Sequence, residues 1–149
     1  DTTRAFGWFQ RGADLGDAEA MLQVFLAYAE GCGVAEDFQK GLDWLRQSAD
    51  AGLPEAMTYL GVSHAIGNGL PCDPGSAARW LFRAASHADA SAIATLKEKA
   101  VEYGPEFRLA FQTVLKRGQL YSGPLDGEFS ADVYTAIDAL AAGGPRLPG

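Results

Sequence analysis

In the segment AEAMLQVFLAYAE, apolar residues fall at Ala18, Met21, Leu22, Phe25, Tyr28 and Ala29, a spacing that places them on one face at about 3.6 residues per turn. The pattern predicts an amphipathic helix. Gly31-Cys32-Gly33-Val34 breaks it, because glycine tolerates the left-handed backbone needed just past a helix end. Asp37 can then accept hydrogen bonds from the free N–H groups that open a second helix, whose face carries Phe38, Gly41, Leu42, Leu45 and Ala49, with Trp44 beside it. The run DAGLPEA turns the chain again, and Pro54, like Pro74 further on, suits the first position of a new helix.

The same pattern returns at a fixed interval. Trp8, Trp44 and Trp80 are 36 residues apart, and at that shift Ala13, Ala49 and Ala85 coincide, as do Ala20, Ala56 and Ala92. Met21 meets Met57 and Ile93, GCGV at 31–34 meets GNGL at 67–70, and Asp37 meets Asp73. Even spacing of so scarce a residue as tryptophan, with this many partners in register, marks an internal repeat of two-helix units. A single unit cannot close its own core. Stacking buries a continuous one, which predicts an all-α fold, an α-solenoid of helical hairpins with an extended concave surface.

AMTYLGVSHAIGNGLPCDPGSAARWLFRAA (56–85) and, with fewer matches, AMLQVFLAYAEGCGVAEDFQKGLDWLRQSADAG (20–52) resemble Sel1-like repeats, relatives of the tetratricopeptide repeat. The resemblance covers roughly residues 5–103. It departs from the family at Phe25, which replaces a glycine, and at His64, which takes a tyrosine's place. What it implies is protein–protein interaction rather than catalysis. Residues 5–15 match only the second helix of a unit, so the chain is expected to open within a repeat, as part of a longer protein. Domains are accordingly expected at 1–104, the Sel1-like repeats, and at 105–149.

After Tyr103-Gly104-Pro105-Glu106 the 36-residue frame is abandoned. Phe107, Phe111, Val114 and Leu115 give one helical face, Ser130 is a plausible N-cap, and Val133, Ile137 and Leu140 give another. Between them Pro124 fixes φ, Gly123 and Gly127 permit positive φ, and Asp126 can bond its own local backbone, with Tyr121, Leu125 and Phe129 expected to pin the turn to the helices. Phe111-Gln112, Leu115, Gly118, Tyr121, Gly123, Asp126, Gly127, Phe129, Ala136 and Ile137 are similar to the hallmark of peptidoglycan-binding domains. Ser130 and Val133 depart from it, and the last helix breaks off at AAGGPRLPG. The resemblance implies a small helical cap whose glycan contacts would be Tyr121, Asp126 and Tyr134. Sel1-like repeats joined to such a segment resemble the periplasmic part of polar-organising proteins of the PodJ type.

Charge narrows the partners. The net charge of −7 disfavours nucleic acid, whose phosphates call for clustered Lys and Arg. A mildly basic middle, residues 79–117 with 7 basic and 4 acidic side chains, lies between two acidic ends. No window reaches the roughly 18 consecutive apolar residues of a membrane span, and no phosphate-cradling loop, nucleophile elbow or zinc-ligand spacing occurs. No catalytic residue, metal site or cofactor is therefore expected. His64 and His87 lie in different units, and packing explains His64. Cys32 and Cys72 fall in corresponding loops, either as a disulfide, implying an oxidising compartment, or as two unrelated residues. The expectation is a noncatalytic scaffold of the bacterial cell envelope, periplasmic, that takes a protein partner on first-helix residues Glu19, Gln23, Leu26, Tyr59, Val62 and Ser63. The alternatives are a peptidoglycan-binding module and a Sel1-type regulator that binds a signalling protein.

Overall fold

The computed structural model describes residues 1–143. Residues 144–149, on which the expected break of the last helix partly falls, lie outside the described residues. Among the described residues eight helices follow one another: α1 (Thr2–Asp14), α2 (Ala18–Glu30), α3 (Phe38–Asp50), α4 (Pro54–Ile66), α5 (Pro74–Ser86), α6 (Ala90–Glu98), α7 (Gly104–Arg117) and α8 (Ala131–Ala141). The 36-residue period is visible in their starts. α1, α3 and α5 begin at 2, 38 and 74, α2, α4 and α6 at 18, 54 and 90, and each tryptophan is the seventh residue of its helix.

Aspartates set this register. Asp1, Asp37 and Asp73 cap α1, α3 and α5 through bonds from Thr3 N, Lys40 N and Ser76 N at 3.0–3.1 Å, and Asp17 and Asp89 do the same for α2 and α6. Each satisfies a backbone donor that the helix cannot, worth about 1 kcal/mol. Gly31, at φ 69°, closes α2. Ser130 stands at the start of α8 as expected, but its hydroxyl makes no capping bond; its carbonyl instead accepts from Val133 N and Tyr134 N.

The chain forms two compact units, Asp1–Leu60 and Gly61–Gly149, divided inside α4. In the first, α2 packs against both α1 and α3. It therefore buries Ala20, Met21, Leu22, Val24, Phe25 and Ala27, two faces instead of the one its sequence suggests. Ala13, Ala20, Met21 and Val24 form a cluster sealed by Phe6, Tyr28 and Trp44. The helices approach closely: a Cβ at Gly12 would lie 2.8 Å from that of Ala20. Ser48, fully buried, donates to the Ala18 carbonyl at 2.7 Å and ties α3 to the start of α2.

In the second unit α5 is central, packed against α6, α7 and α8. Phe82 meets Phe111 with ring centroids 6.5 Å apart, and Phe107 stacks on Phe111 at 6.2 Å. The residues after 104 thus share a core with the last repeat. That core, Phe107, Phe111, Val114, Leu115, Val133, Ile137 and Leu140, is the one the sequence pattern predicts. Leu125 is the exception. It is 42% exposed, so the turn is held by Tyr121 and Phe129 instead.

Candidate functional site

A groove of about 260 Å³ opens between α1 and α2 in the first unit, lined by Thr2, Ala5, Phe6 and Phe9 on one side and Gln23, Leu26, Ala27 and Glu30 on the other, with Cys32 at one end. Both linings run i, i+3, i+4, i+7, the residues that share one helix face. The same spacing puts Glu19 on the stripe of Gln23, Leu26 and Glu30. α2 is clamped from both sides, and this stripe is what its neighbours leave uncovered.

Gln23 and Leu26, expected as partner contacts, thus line the groove, and Glu19 lies exposed on the same stripe. The other expected residues are placed differently. Tyr59 is on α4, its ring edge-on to Phe25 at 5.8 Å. Val62 is half-buried in the second unit. Ser63 is buried, at 6% exposure, because it falls on the packed face of α4, so it is not a surface contact. Phe6 and Phe9 line the groove as well. The repeat equivalents of Phe9 are Leu45 and Leu81, both fully buried, whereas Phe9 is 38% exposed; all three are large and apolar, so no sequence signal set Phe9 apart.

The C-terminal turn is built around Gln112, which is fully buried. Its Nε2 donates to Asp126 Oδ1 at 3.1 Å and to the Glu128 carbonyl at 2.8 Å, while its Oε1 accepts from Gly127 N at 2.8 Å. Arg108 Nε adds a bond to the Gly127 carbonyl at 2.6 Å. Bonds from Glu128 N and from Gln112 hold the Asp126 carboxyl below the usual carboxylate range. Tyr121 is buried and donates its hydroxyl to the Pro124 carbonyl at 2.8 Å. Burial, then the nearby Asp126 and Asp132, pushes its phenol up. Of the three expected glycan contacts, Tyr121 has its polar end turned into the turn, Asp126 is exposed with one oxygen engaged, and Tyr134 packs edge-on to Phe129 at 6.0 Å. The structure does not gather them at one opening. A trough of about 300 Å³ lies instead over Leu120, Tyr121, Ser122, Gly123, Asp132 and Thr135. A neighbouring hollow extends it to Lys116 and Gln119, the latter a non-glycine residue at φ 61°.

Cys32 and Cys72 are both free and exposed, so the disulfide weighed from the sequence is not formed in this structure. Their thiols lie near Glu30 Oε2 at 3.8 Å and the Ala65 carbonyl at 3.5 Å. His64 is half-buried, its Nδ1 without a hydrogen-bond partner. Among the described residues no group of His, Cys, Asp and Glu is arranged to hold a metal ion, and no helix is long and apolar enough to cross a membrane.

Repeated helices, aspartate-capped in register and recurring every 36 residues, define a helical-repeat protein. The chain belongs to the Sel1 repeat family, which it matches over residues 1–17, 18–53 and 54–89. It is similar to a protective antigen present in uropathogenic Escherichia coli strains that displays an SLR fold, with 28% identity and a TM-score of 0.63. That likeness covers 80% of this chain and 28% of the antigen, so the chain spans under a third of the antigen's length. It is also similar to a Sel1 repeat protein from Oxalobacter formigenes, with 26% identity, a TM-score of 0.54, and 77% of this chain and 75% of that one covered. No curated protein matches the chain. Sel1 repeats generally mediate protein–protein interaction and are generally noncatalytic.

Proposed function

We propose that the chain is a noncatalytic scaffold that holds a protein partner on the outward stripe of α2, with Glu19, Gln23 and Leu26 as contacts. The carrying observation is that stripe: Glu19, Gln23 and Glu30 are exposed and Leu26 is half-buried on one helix face, between the two helices that cover the rest of α2. The resemblance to envelope proteins supports a periplasmic setting and a role in organising cell polarity. The test uses Cys32 as a built-in reporter. A photocrosslinker attached there in Cys72→Ser protein should capture the same partner from envelope extract repeatedly. Leu26→Ser and Gln23→Ala should abolish the capture without loss of helicity; unchanged capture in both overturns the site.

A second reading is favoured by the trough beside Tyr121: the C-terminal segment binds peptidoglycan, through Ser122, Asp132 and Thr135 rather than the three residues expected from sequence. Hydroxyls and a carboxylate around an aromatic floor suit a sugar. Sedimentation with purified sacculi tests it. Asp132→Ala/Thr135→Ala protein should stay in the supernatant, and equal pelleting of this variant and the wild type refutes the assignment.

A further inference from the structure

We infer that Asn68 is a site of spontaneous covalent modification, at which the Gly69 backbone nitrogen closes on the Asn68 side chain and leaves isoaspartate or aspartate in the loop between α4 and α5. Asn68 is the one asparagine of the chain, and glycine follows it. A residue after asparagine ordinarily screens its own nitrogen with a Cβ, and glycine has none. Asn68 and Gly69 are both exposed, so water reaches the loop for both steps. In the first, the Gly69 nitrogen gives up its proton and bonds to Asn68 Cγ, the Cγ–Nδ2 bond breaks, and ammonia leaves with that proton. In the second, water adds to a carbonyl of the cyclic imide and a ring C–N bond breaks. Opening at the main-chain carbonyl gives isoaspartate, and opening at Cγ gives aspartate. Asparagine and water become acid and ammonia, with no oxidant or cofactor.

The fold locks the other pair in the sequence that could form such an imide, Asp126-Gly127. Gly127 is buried there and its N–H donates to Gln112 Oε1 at 2.8 Å, while Asp126 Oδ1 accepts from Gln112 Nε2 and Glu128 N. Closure at Asp126 must first break that network. Asn68 instead stands between glycines at φ 69° and 73°, in backbone that glycine takes most freely. Its N–H bonds to the Ser63 carbonyl at 3.0 Å and so closes the end of α4. One repeat earlier the same bond runs from Cys32 N to the Ala27 carbonyl at 3.0 Å, so the turn itself does not require asparagine. The products change the loop. Either adds a negative charge to a chain of −7, just past the C-terminal end of α4, where the helix dipole disfavours it. Isoaspartate also lengthens the main chain by one carbon between the anchored N–H of residue 68 and Leu70, which is 7% exposed. That extra length works against the bond from Asp73 N to the His64 carbonyl, beside the cap of α5.

The whole chain, aged in mildly alkaline buffer at physiological temperature with and without urea, is mapped by peptide mass spectrometry. Methyl transfer from S-adenosylmethionine by an isoaspartyl methyltransferase serves as the isoaspartate probe. In the folded chain both signals are expected at residue 68, with isoaspartate in excess of aspartate. Urea should change the rate at Asn68 by less than about threefold but speed isoaspartate formation at Asp126 at least about tenfold, because closure there waits on local opening. Asn68→Ser should abolish methylation of the folded chain. Amide exchange at Asp73 should be faster in the aged protein than in Asn68→Asp, which carries the charge without the added carbon. An Asn68 that stays intact when folded and converts only in urea would overturn the site, as would methylation that survives Asn68→Ser. Equal Asp73 exchange in aged and Asn68→Asp protein would overturn the effect assigned to the longer main chain.

Discussion

Gly12 and Ala20 offer a sharp test of how α1 meets α2. A Cβ at Gly12 would lie 2.8 Å from the Ala20 Cβ and within 4 Å of no other atom outside its own surroundings. Carbon atoms prefer about 3.5–4.0 Å, so Gly12→Ala must push the helices apart by close to 1 Å and loosen the cluster of Ala13, Ala20, Met21 and Val24. Such overpacking costs roughly 1–3 kcal/mol. Against it stands the gain of alanine over glycine in a helix, at most about 1 kcal/mol and less near a helix end. The single variant should therefore lose about 1–2 kcal/mol. Ala20→Gly should lose a similar amount, about 1 kcal/mol of helix propensity and about 0.8 kcal/mol for one buried methyl. Together the two substitutions only move the methyl across the interface. The double variant should stand within about 0.5 kcal/mol of wild type, so the pair couples by roughly 2–4 kcal/mol where independent sites would simply add. Urea unfolding read by Trp8 and Trp44 fluorescence in a Trp80→Phe background reports on the first unit alone. A double variant as unstable as the sum of the singles would refute the close approach.

Three further outcomes are expected. Gly33 sits at φ 78° with its missing Cβ only 2.2 Å from the Thr2 carbonyl, so Gly33→Ala should destabilise by more than about 1 kcal/mol and raise amide exchange first at the start of α1; unchanged exchange there counts against the contact. Gln112→Leu leaves the Gly127 N–H without its acceptor, and a loss of about 2–4 kcal/mol by denaturant midpoint is expected, whereas a neutral substitution would mean the turn is held by other bonds. Asp126 and Asp73 both have pKa values held below the ordinary aspartate value, by bonds from Glu128 and Gln112 and from Ser76 respectively. Their stabilisation is present above about pH 4, the unfolded value, and is lost as pH falls through the lower folded values; the acid-side slope of the unfolding midpoint should therefore flatten in Asp126→Asn protein.

The repeat itself was legible because its signals are local. An aspartate at 1, 37 and 73 and a tryptophan at 8, 44 and 80 state a period without any knowledge of packing. What one sequence face could not convey was that α2 has two neighbours. Nor could it explain Phe25, which looked like a departure from the family because a glycine is usual there. In the structure Phe25 lies over Gly41, whose Cβ would be 3.2 Å from its ring. One repeat later Gly61 takes the place of Phe25 and Ala77 the place of Gly41, and a Cβ at Gly61 would meet Leu81 at 2.8 Å and the Ala77 carbonyl at 3.3 Å. Volume withheld from one helix is supplied by its neighbour. The departure at Phe25 is therefore half of a compensated pair, visible only when the residues 16 apart are seen to touch.

The groove was half legible for a related reason. A periodic pattern assigns every copy of a position the same environment, and so it reads Phe9 as core along with Leu45 and Leu81. Burial, however, belongs to the neighbours and not to the residue: α3 is sealed by α2, whose Phe25 meets Phe38 and Gly41. The α2 stripe could be read off as solvent-facing, which is how Gln23 and Leu26 were found. The C-terminal turn shows the converse. Tyr121 and Asp126 carry groups that bind sugars elsewhere, yet here a hydroxyl turned onto the Pro124 carbonyl and a carboxylate oxygen engaged by Gln112 and Glu128 N leave those groups holding the turn in shape. Residue type announces what chemistry is available, and the hydrogen-bond partners decide whether any of it is left for a ligand.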